Sequence, residues 1–92
     1  MKVTVKFLTK AREITGTREE TLAIEQPATV MGILRMLVAK HGDKLNEYLF
    51  DPESGNPRQH LRFLLNGQSV SATEGFPSTD SVLLIFPPTS GG

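Results

Sequence analysis

The side chains able to do chemistry in this sequence are few. There is no cysteine, which removes disulfides, thiolate metal sites, iron–sulfur clusters and a cysteine nucleophile together. The two histidines, His41 and His60, have no second histidine or carboxylate at metal-ligand spacing. His41 is expected at the end of a helix, where positive charge is favoured, and His60 at an exposed loop end. The serines lack a histidine and an acid in any nucleophile–base arrangement. Glu19-Glu20 reads as a solvated pair and Arg12-Glu13 as a surface loop feature. No catalytic residue and no metal site is expected. The remaining candidate is the C-terminal segment Phe86-Pro87-Pro88-Thr89-Ser90-Gly91-Gly92. Its two prolines remove ladder donors and hold the chain extended, so nothing from Pro87 onward is expected to pack as strand or helix. Six extended residues reach roughly 20 Å at about 3.3 Å each. Glycine has no Cβ and accepts unusual backbone angles, which suits a chain end that enters a narrow channel. A terminal glycine pair arises by chance on the order of once in two hundred chains. Its meaning therefore depends on the body that carries it.

That body reads as alternating strands around one helix. Val3, Val5 and Phe7 alternate with Lys2, Thr4 and Lys6, the pattern of a half-buried strand. Lys10 to Gly16 breaks the alternation and reads as a loop, with Thr15-Gly16-Thr17 as the turn signal. Glu20 to Glu25 places Leu22 and Ile24 inward and closes a first hairpin. Thr29 can cap a helix, in which Val30, Ile33, Leu34, Leu37, Val38 and His41 fall on one stripe ended by Gly42. Residues 43–60 are the least regular, with Leu45, Tyr48, Leu49 and Phe50 as anchors and Asp51-Pro52-Glu53-Ser54-Gly55-Asn56-Pro57 as an exposed loop. Leu61 to Leu65 is a strand with Leu61, Phe63 and Leu65 on one face. Asn66-Gly67 is a tight-hairpin signal, Gln68-Ser69-Val70 begins the return, and Val82 to Phe86 is a last strand. One amphipathic helix covered by a mixed sheet of about five strands is an α+β, β-grasp arrangement. Topology would set its first and last strands side by side and parallel. The expected organisation is a domain over 1–86 and a tail over 87–92.

Composition bounds the partners. Ten basic and ten acidic residues give zero formal net charge, so no basic excess is present to neutralise a phosphate backbone. No apolar run is long enough to span a bilayer, and the start Met1-Lys2-Val3-Thr4-Val5-Lys6 lacks the apolar block of a signal peptide. Neither nucleic acid nor membrane is an expected partner, and a cytoplasmic location is expected.

On these elements the sequence resembles the MoaD/ThiS sulfur carriers, relatives of ubiquitin, over nearly its whole length. Phe7-Leu8-Thr9-Lys10-Ala11-Arg12-Glu13-Ile14-Thr15-Gly16 is similar to the family's first strand and its arginine–glutamate loop. Leu64-Leu65-Asn66-Gly67 resembles the central hairpin, and Phe86-Pro87-Pro88-Thr89-Ser90-Gly91-Gly92 the closing signature. The two prolines resemble the small subunit of molybdopterin synthase more than the thiamin branch. The long segment 48–60 resembles extended MoaD-like proteins found in archaea, some of which serve as protein modifiers or as sulfur donors for transfer RNA. One departure is visible. Where the family commonly has an aspartate–glycine–aspartate turn, this chain has Ser78-Thr79-Asp80, so a different turn conformation is expected.

The resemblance implies a carrier with no bound cofactor and catalysis supplied by partners. An E1-like, MoeB-like enzyme would spend ATP to join the Gly92 carboxylate to AMP, because a carboxylate is a poor electrophile and an acyl-adenylate has a good leaving group. A sulfur nucleophile would then displace AMP and leave a thiocarboxylate on Gly92, for delivery inside a MoaE-like large subunit during molybdenum-cofactor synthesis. In a modifier, a target-protein lysine would attack instead and form an isopeptide bond. Gly91 would clear the path, while Pro87 and Pro88 would limit the tail's freedom and lower the ordering cost of docking. Thr89 and Ser90 would offer backbone groups to the channel. If Phe63, Leu65, Val82 and Leu84 face the helix, strand alternation turns Leu64, Leu83 and Ile85 outward as a partner-binding patch.

Overall fold

Alternation along the first six strand residues builds β1 (Lys2–Phe7), whose Val3, Val5 and Phe7 are fully buried while Lys2 and Lys6 are exposed. The computed structural model describes residues 1–25 and 27–86. The chain continues through α1 (Thr9–Thr15), β2 (Glu19–Ala23), α2 (Val30–His41), α3 (Asp43–Leu49), β3 (Arg62–Leu65), β4 (Gln68–Val70) and β5 (Ser81–Phe86). The five strands lie in the order β2-β1-β5-β3-β4. β1 and β5 are parallel neighbours at the centre, with Val5 beside Leu83 and Phe7 beside Ile85, and every other pairing is antiparallel. This is the β-grasp arrangement expected from the element order.

The helix α2 forms where its stripe predicts. The Thr29 hydroxyl accepts from Gly32 N at 3.2 Å, satisfying one of the first-turn donors. At the other end Gly42 takes φ +94°, outside the comfort of a residue with a Cβ, and its N–H returns to Val38 O at 2.8 Å. Val30, Ile33, Leu34 and Leu37 are buried against the inner face of the sheet. Together with Val3, Val5, Phe7, Leu22, Phe63, Leu65, Leu83 and Ile85 they make one continuous core.

Two short helices replace segments that read as irregular. α1 occupies the expected loop over 10–16, buries Ala11, and ends at Gly16 with φ +75° and its N–H on Arg12 O. α3 occupies the start of 43–60, and its Leu45 and Leu49, four residues apart, are buried with Phe50 just beyond. The loop after it is as expected: the Asp51 carboxylate accepts from Glu53 N at 2.9 Å, and Gly55 N donates to Asp51 O at 2.8 Å. At the departure from the family turn, Asp80 keeps a structural role, since its carboxylate accepts from Lys2 N at 2.8 Å and ties the start of β1 to the start of β5.

Glu20 is not the solvated residue its neighbourhood suggested. It lies on the inner side of β2, its side chain 10% exposed, with one oxygen 2.6 Å from His41 Nε2 and the other paired with Lys40 Nζ. The His41 ring also meets Phe7 edge-on at 6.1 Å, so His41 is structural, as expected, and joins the end of α2 to the outermost strand. Burial raises the Glu20 carboxyl, but the hydrogen bonds and charges of Lys40 and His41 outweigh it and the net shift is downward. A carboxyl lowered in the folded state stabilises the fold above its ordinary value and loses that contribution as pH falls through its folded value. Glu20→Gln is expected to lower stability at neutral pH by about 1–3 kcal/mol. Urea unfolding of both proteins should show that difference shrinking as the pH drops below 4.5, the ordinary value.

Candidate functional site

The place where β5 ends is set by three hydrogen bonds at its beginning. Asn66, in the tight turn between β3 and β4 with φ +51°, donates its backbone N–H to Val82 O at 2.9 Å. Its side-chain oxygen accepts from Val82 N at 2.9 Å, and its amide nitrogen donates to Ser81 Oγ at 3.2 Å. Ser81, whose hydroxyl also donates to Thr79 O at 3.1 Å, is thereby held inward and only 4% exposed. Alternation then sends Leu83 and Ile85 to the core and Val82, Leu84 and Phe86 to the outer face.

This corrects the expected patch. Leu83 and Ile85 do not face a partner; both are fully buried beneath α2, and Val82 and Leu84 do not face the helix. Leu64 is half-buried on the outer face as expected, directly across from Leu84 in the β3–β5 register. Phe86 stands opposite Arg62 at the exit of the strand. The outer face therefore carries Leu64, Val82, Leu84 and Phe86 as one apolar strip, of which Val82 is 39% exposed. On one flank the exposed Lys6 is Leu84's neighbour on β1; at the exit Arg62 donates to Gln59 O at 3.2 Å. The strip leads along β5 to the point where residue 87 begins. Pro87, Pro88, Thr89, Ser90, Gly91 and Gly92 lie outside the described residues.

Nothing else among the described residues gathers a reactive constellation. His60 is exposed, and His41 is committed to Glu20. No three histidine, cysteine, aspartate or glutamate side chains converge to hold a metal ion among the described residues. An open groove between α1 and α3, lined by Lys10, Glu13, Ile14, Lys44, Glu47 and Tyr48, mixes both charge signs. There burial raises the Tyr48 hydroxyl above its ordinary value, opposed by a hydrogen bond with Thr9. No helix is long and apolar enough to cross a membrane among the described residues.

The outward turn of Val82 and Leu84, expected to face the helix, escapes the sequence pattern for a physical reason. Val82-Leu83-Leu84-Ile85-Phe86 is an unbroken apolar run, and such a run carries no period-two phase. The deciding signal is Ser81 together with Asn66, two polar residues that bond each other where the end of β3 meets the start of β5.

Leu83→Ala is expected to cost about 2–5 kcal/mol, the penalty of a cavity in a packed core. Leu84→Ser, on the outer face, is expected to stay within about 1 kcal/mol of the parent. Chemical denaturation of the two variants reads the phase of β5 directly.

Comparison with known proteins places this geometry in context. The sequence profile of the ThiS family matches residues 5–92. Small archaeal modifier protein 1 of Haloferax volcanii is 31% identical over 87 residues, covering 95% of this chain and 97% of the relative. The crystal structure of SAMP1 from the same organism superposes with a TM-score of 0.84 at 28% identity, covering 100% of both chains. A Pyrococcus furiosus structure described as a putative molybdopterin converting factor, subunit 1, superposes at 0.76 with 26% identity, covering 97% of this chain and 99% of that one.

Proposed function

The chain belongs to the ThiS family of ubiquitin-like proteins, and from that premise we propose that it is a sulfur carrier whose reactive group is the carboxylate of Gly92. The apolar strip made by Val82, Leu84 and Phe86 on the strand that runs into the tail, with Leu64 beside them on β3, is the observation that supports this reading. A carrier with no active site of its own must be held while another protein works on its end. An apolar surface contiguous with that end supplies the hold.

In this reading an E1-like, MoeB-like enzyme takes the strip on its own surface and threads Pro87 to Gly92 toward bound ATP. The Gly92 carboxylate attacks the α-phosphorus, forming acyl-adenylate and releasing pyrophosphate. A sulfur nucleophile then attacks the acyl carbon and AMP departs with the C–O bond electrons. Where that nucleophile is a protein persulfide the product is an acyl disulfide; a second thiol then attacks the donor sulfur, forming a disulfide with it and expelling the thiocarboxylate with the S–S bond electrons. The MoaD role requires that this thiocarboxylate enter a MoaE-like subunit and give its sulfur to a molybdopterin precursor; transfer RNA is the alternative sulfur acceptor. The prolines restrict the tail before docking, so less freedom is lost on entry. Gly91 and Gly92 leave room around the acyl carbon at which adenylate and thiocarboxylate form.

A second reading has its own support. The names of two Haloferax volcanii relatives describe modifiers, and the same acyl-adenylate chemistry ends in an isopeptide bond when a lysine amine of a target protein takes the acyl group. Both readings share the adenylation step and part only at the acceptor.

Deleting Gly92, or changing Gly91→Val, is expected to abolish ATP-dependent adenylation by the cognate enzyme while circular dichroism and melting stay unchanged. Adenylation of either variant at the parent's rate would refute the tail assignment. Intact mass of the protein purified from its host separates the acceptors: replacement of one oxygen by sulfur marks the carrier, and a ladder of conjugates marks the modifier.

A further inference from the structure

The sheet has two edges, and they differ. β4 is only three residues long, a form in which edges are ordinarily made harmless. β2 is five residues long and hydrogen-bonded to β1 on one side only. Met1 and Ile24 exchange both backbone bonds, and Phe7 N donates to Arg18 O. Antiparallel alternation therefore turns the N–H and C=O of Arg18, Glu20, Leu22 and Ile24 toward β1. Those of Thr21 and Ala23 point away from the sheet. At Glu19 the carbonyl is taken by the Thr17 hydroxyl at 3.0 Å, so the open stretch is Thr21 to Ala23.

Beside this edge runs a groove between β2 and α2, lined by Ile24, Pro27, Ala28, Ile33 and Met36 among others. Met36, 43% exposed, and Val82, 39% exposed, are the two exposed large hydrophobic residues among the described residues. Val82 belongs to the outer strip that leads to the tail. Met36 lies on the opposite side of the sheet, where no step of the tail chemistry uses it. The exposed Glu19 and Glu25 stand at the two ends of the open stretch.

We propose that the β2 edge is a second docking site, which takes an extended segment of a partner protein as a sixth strand. The partner segment has apolar residues at alternate positions, filling the groove against Met36 and Ala28, and basic residues at its ends, facing Glu19 and Glu25. Backbone bonds to Thr21 and Ala23 give affinity, and the groove and acidic ends give choice. A second copy of this chain is the poorer occupant. The antiparallel register that uses all four open backbone groups on both copies sets Thr21 against Ala23, and the same register brings Glu19 of each copy against Glu25 of the other. Like charges directly opposed across strands destabilise pairing. The site is separated from β5 by β1, so it can be occupied while the tail is inside an enzyme.

The test uses the full isotope-labelled chain and the peptide Arg-Val-Thr-Ile-Thr-Val-Lys. Binding is expected to slow hydrogen exchange at the Thr21 and Ala23 amides and to shift the Met36 methyl resonance. The same peptide with glutamate at both ends should bind about tenfold more weakly at low salt, because two exposed charge contacts become repulsions. The double variant Glu19→Lys/Glu25→Lys should reverse that preference. Thr21→Pro removes an outward donor without removing an internal backbone bond, and should abolish binding. If it does not fold, the charge reversal decides alone. Unchanged exchange at Thr21 and Ala23, indifference to the end charges, or perturbations confined to Leu64 and Leu84 would each overturn the proposal. Protection of Thr21 that rises with protein concentration in the absence of peptide would overturn the choice of occupant in favour of a second copy.

Discussion

One strand, β5, both completes the core under α2 and carries the outer apolar strip, and its rotational phase is decided by a turn residue fifteen positions earlier. Asn66 grips Ser81 and Val82 with backbone and side chain together. With Ser81 held inward, Leu83 and Ile85 must complete the core under α2, and Val82, Leu84 and Phe86 must form the outer surface. A slip of one residue would exchange the two sets, opening the core and burying the outer strip at once. The hydrogen bonds are modest singly, about 1 kcal/mol each. Their weight lies in selecting between two arrangements that apolar content alone leaves nearly equal.

The central parallel pair gives that selection its reach. Val3, Val5 and Phe7 on β1 and Leu83 and Ile85 on β5 share the face that α2 covers, and Asp80 ties the two strands together at their common beginning. At the margin, the Glu20–His41–Lys40 cluster holds the outermost strand to the end of the same helix. The sheet is thus fixed to α2 at its centre by packing and at its β2 side by charge. Surfaces on opposite faces, the strip at β5 and the groove at β2, arise from one set of constraints.

Much of this was legible in the residues, and the failures have a common cause. Where apolar and polar residues alternate, as in Val3–Phe7, the buried face is plain from the pattern, and in Leu61–Leu65 the single polar residue Arg62 is enough to set it. The helix α2 was equally plain, from the Thr29 cap through its apolar stripe to Gly42. Where a segment was too short or too uniform to show a period, reading failed. α1 and α3 span seven residues each, barely two turns, and no side chain caps the start of either. Glu20 looks like its exposed neighbour because its partners, Lys40 and His41, come much later in the chain and meet it only through the fold. The tail, residues 87–92, lies outside the described residues, and its glycine pair takes meaning only from the β-grasp body that carries it.

The pairing of β1 with β5 also bears on how the molecule comes into being. The strand at the middle of the sheet is supplied by residues 81–86, almost eighty positions after its parallel neighbour. Hairpins and helices can form as the chain emerges from the ribosome, but the sheet has a gap at its heart until that last strand arrives. Contacts between distant parts of a chain are slow to close. Synthesis of the body is therefore nearly finished before the body can fold. A prematurely terminated product lacking β5 would expose the apolar faces of its neighbours and would be a substrate for quality control.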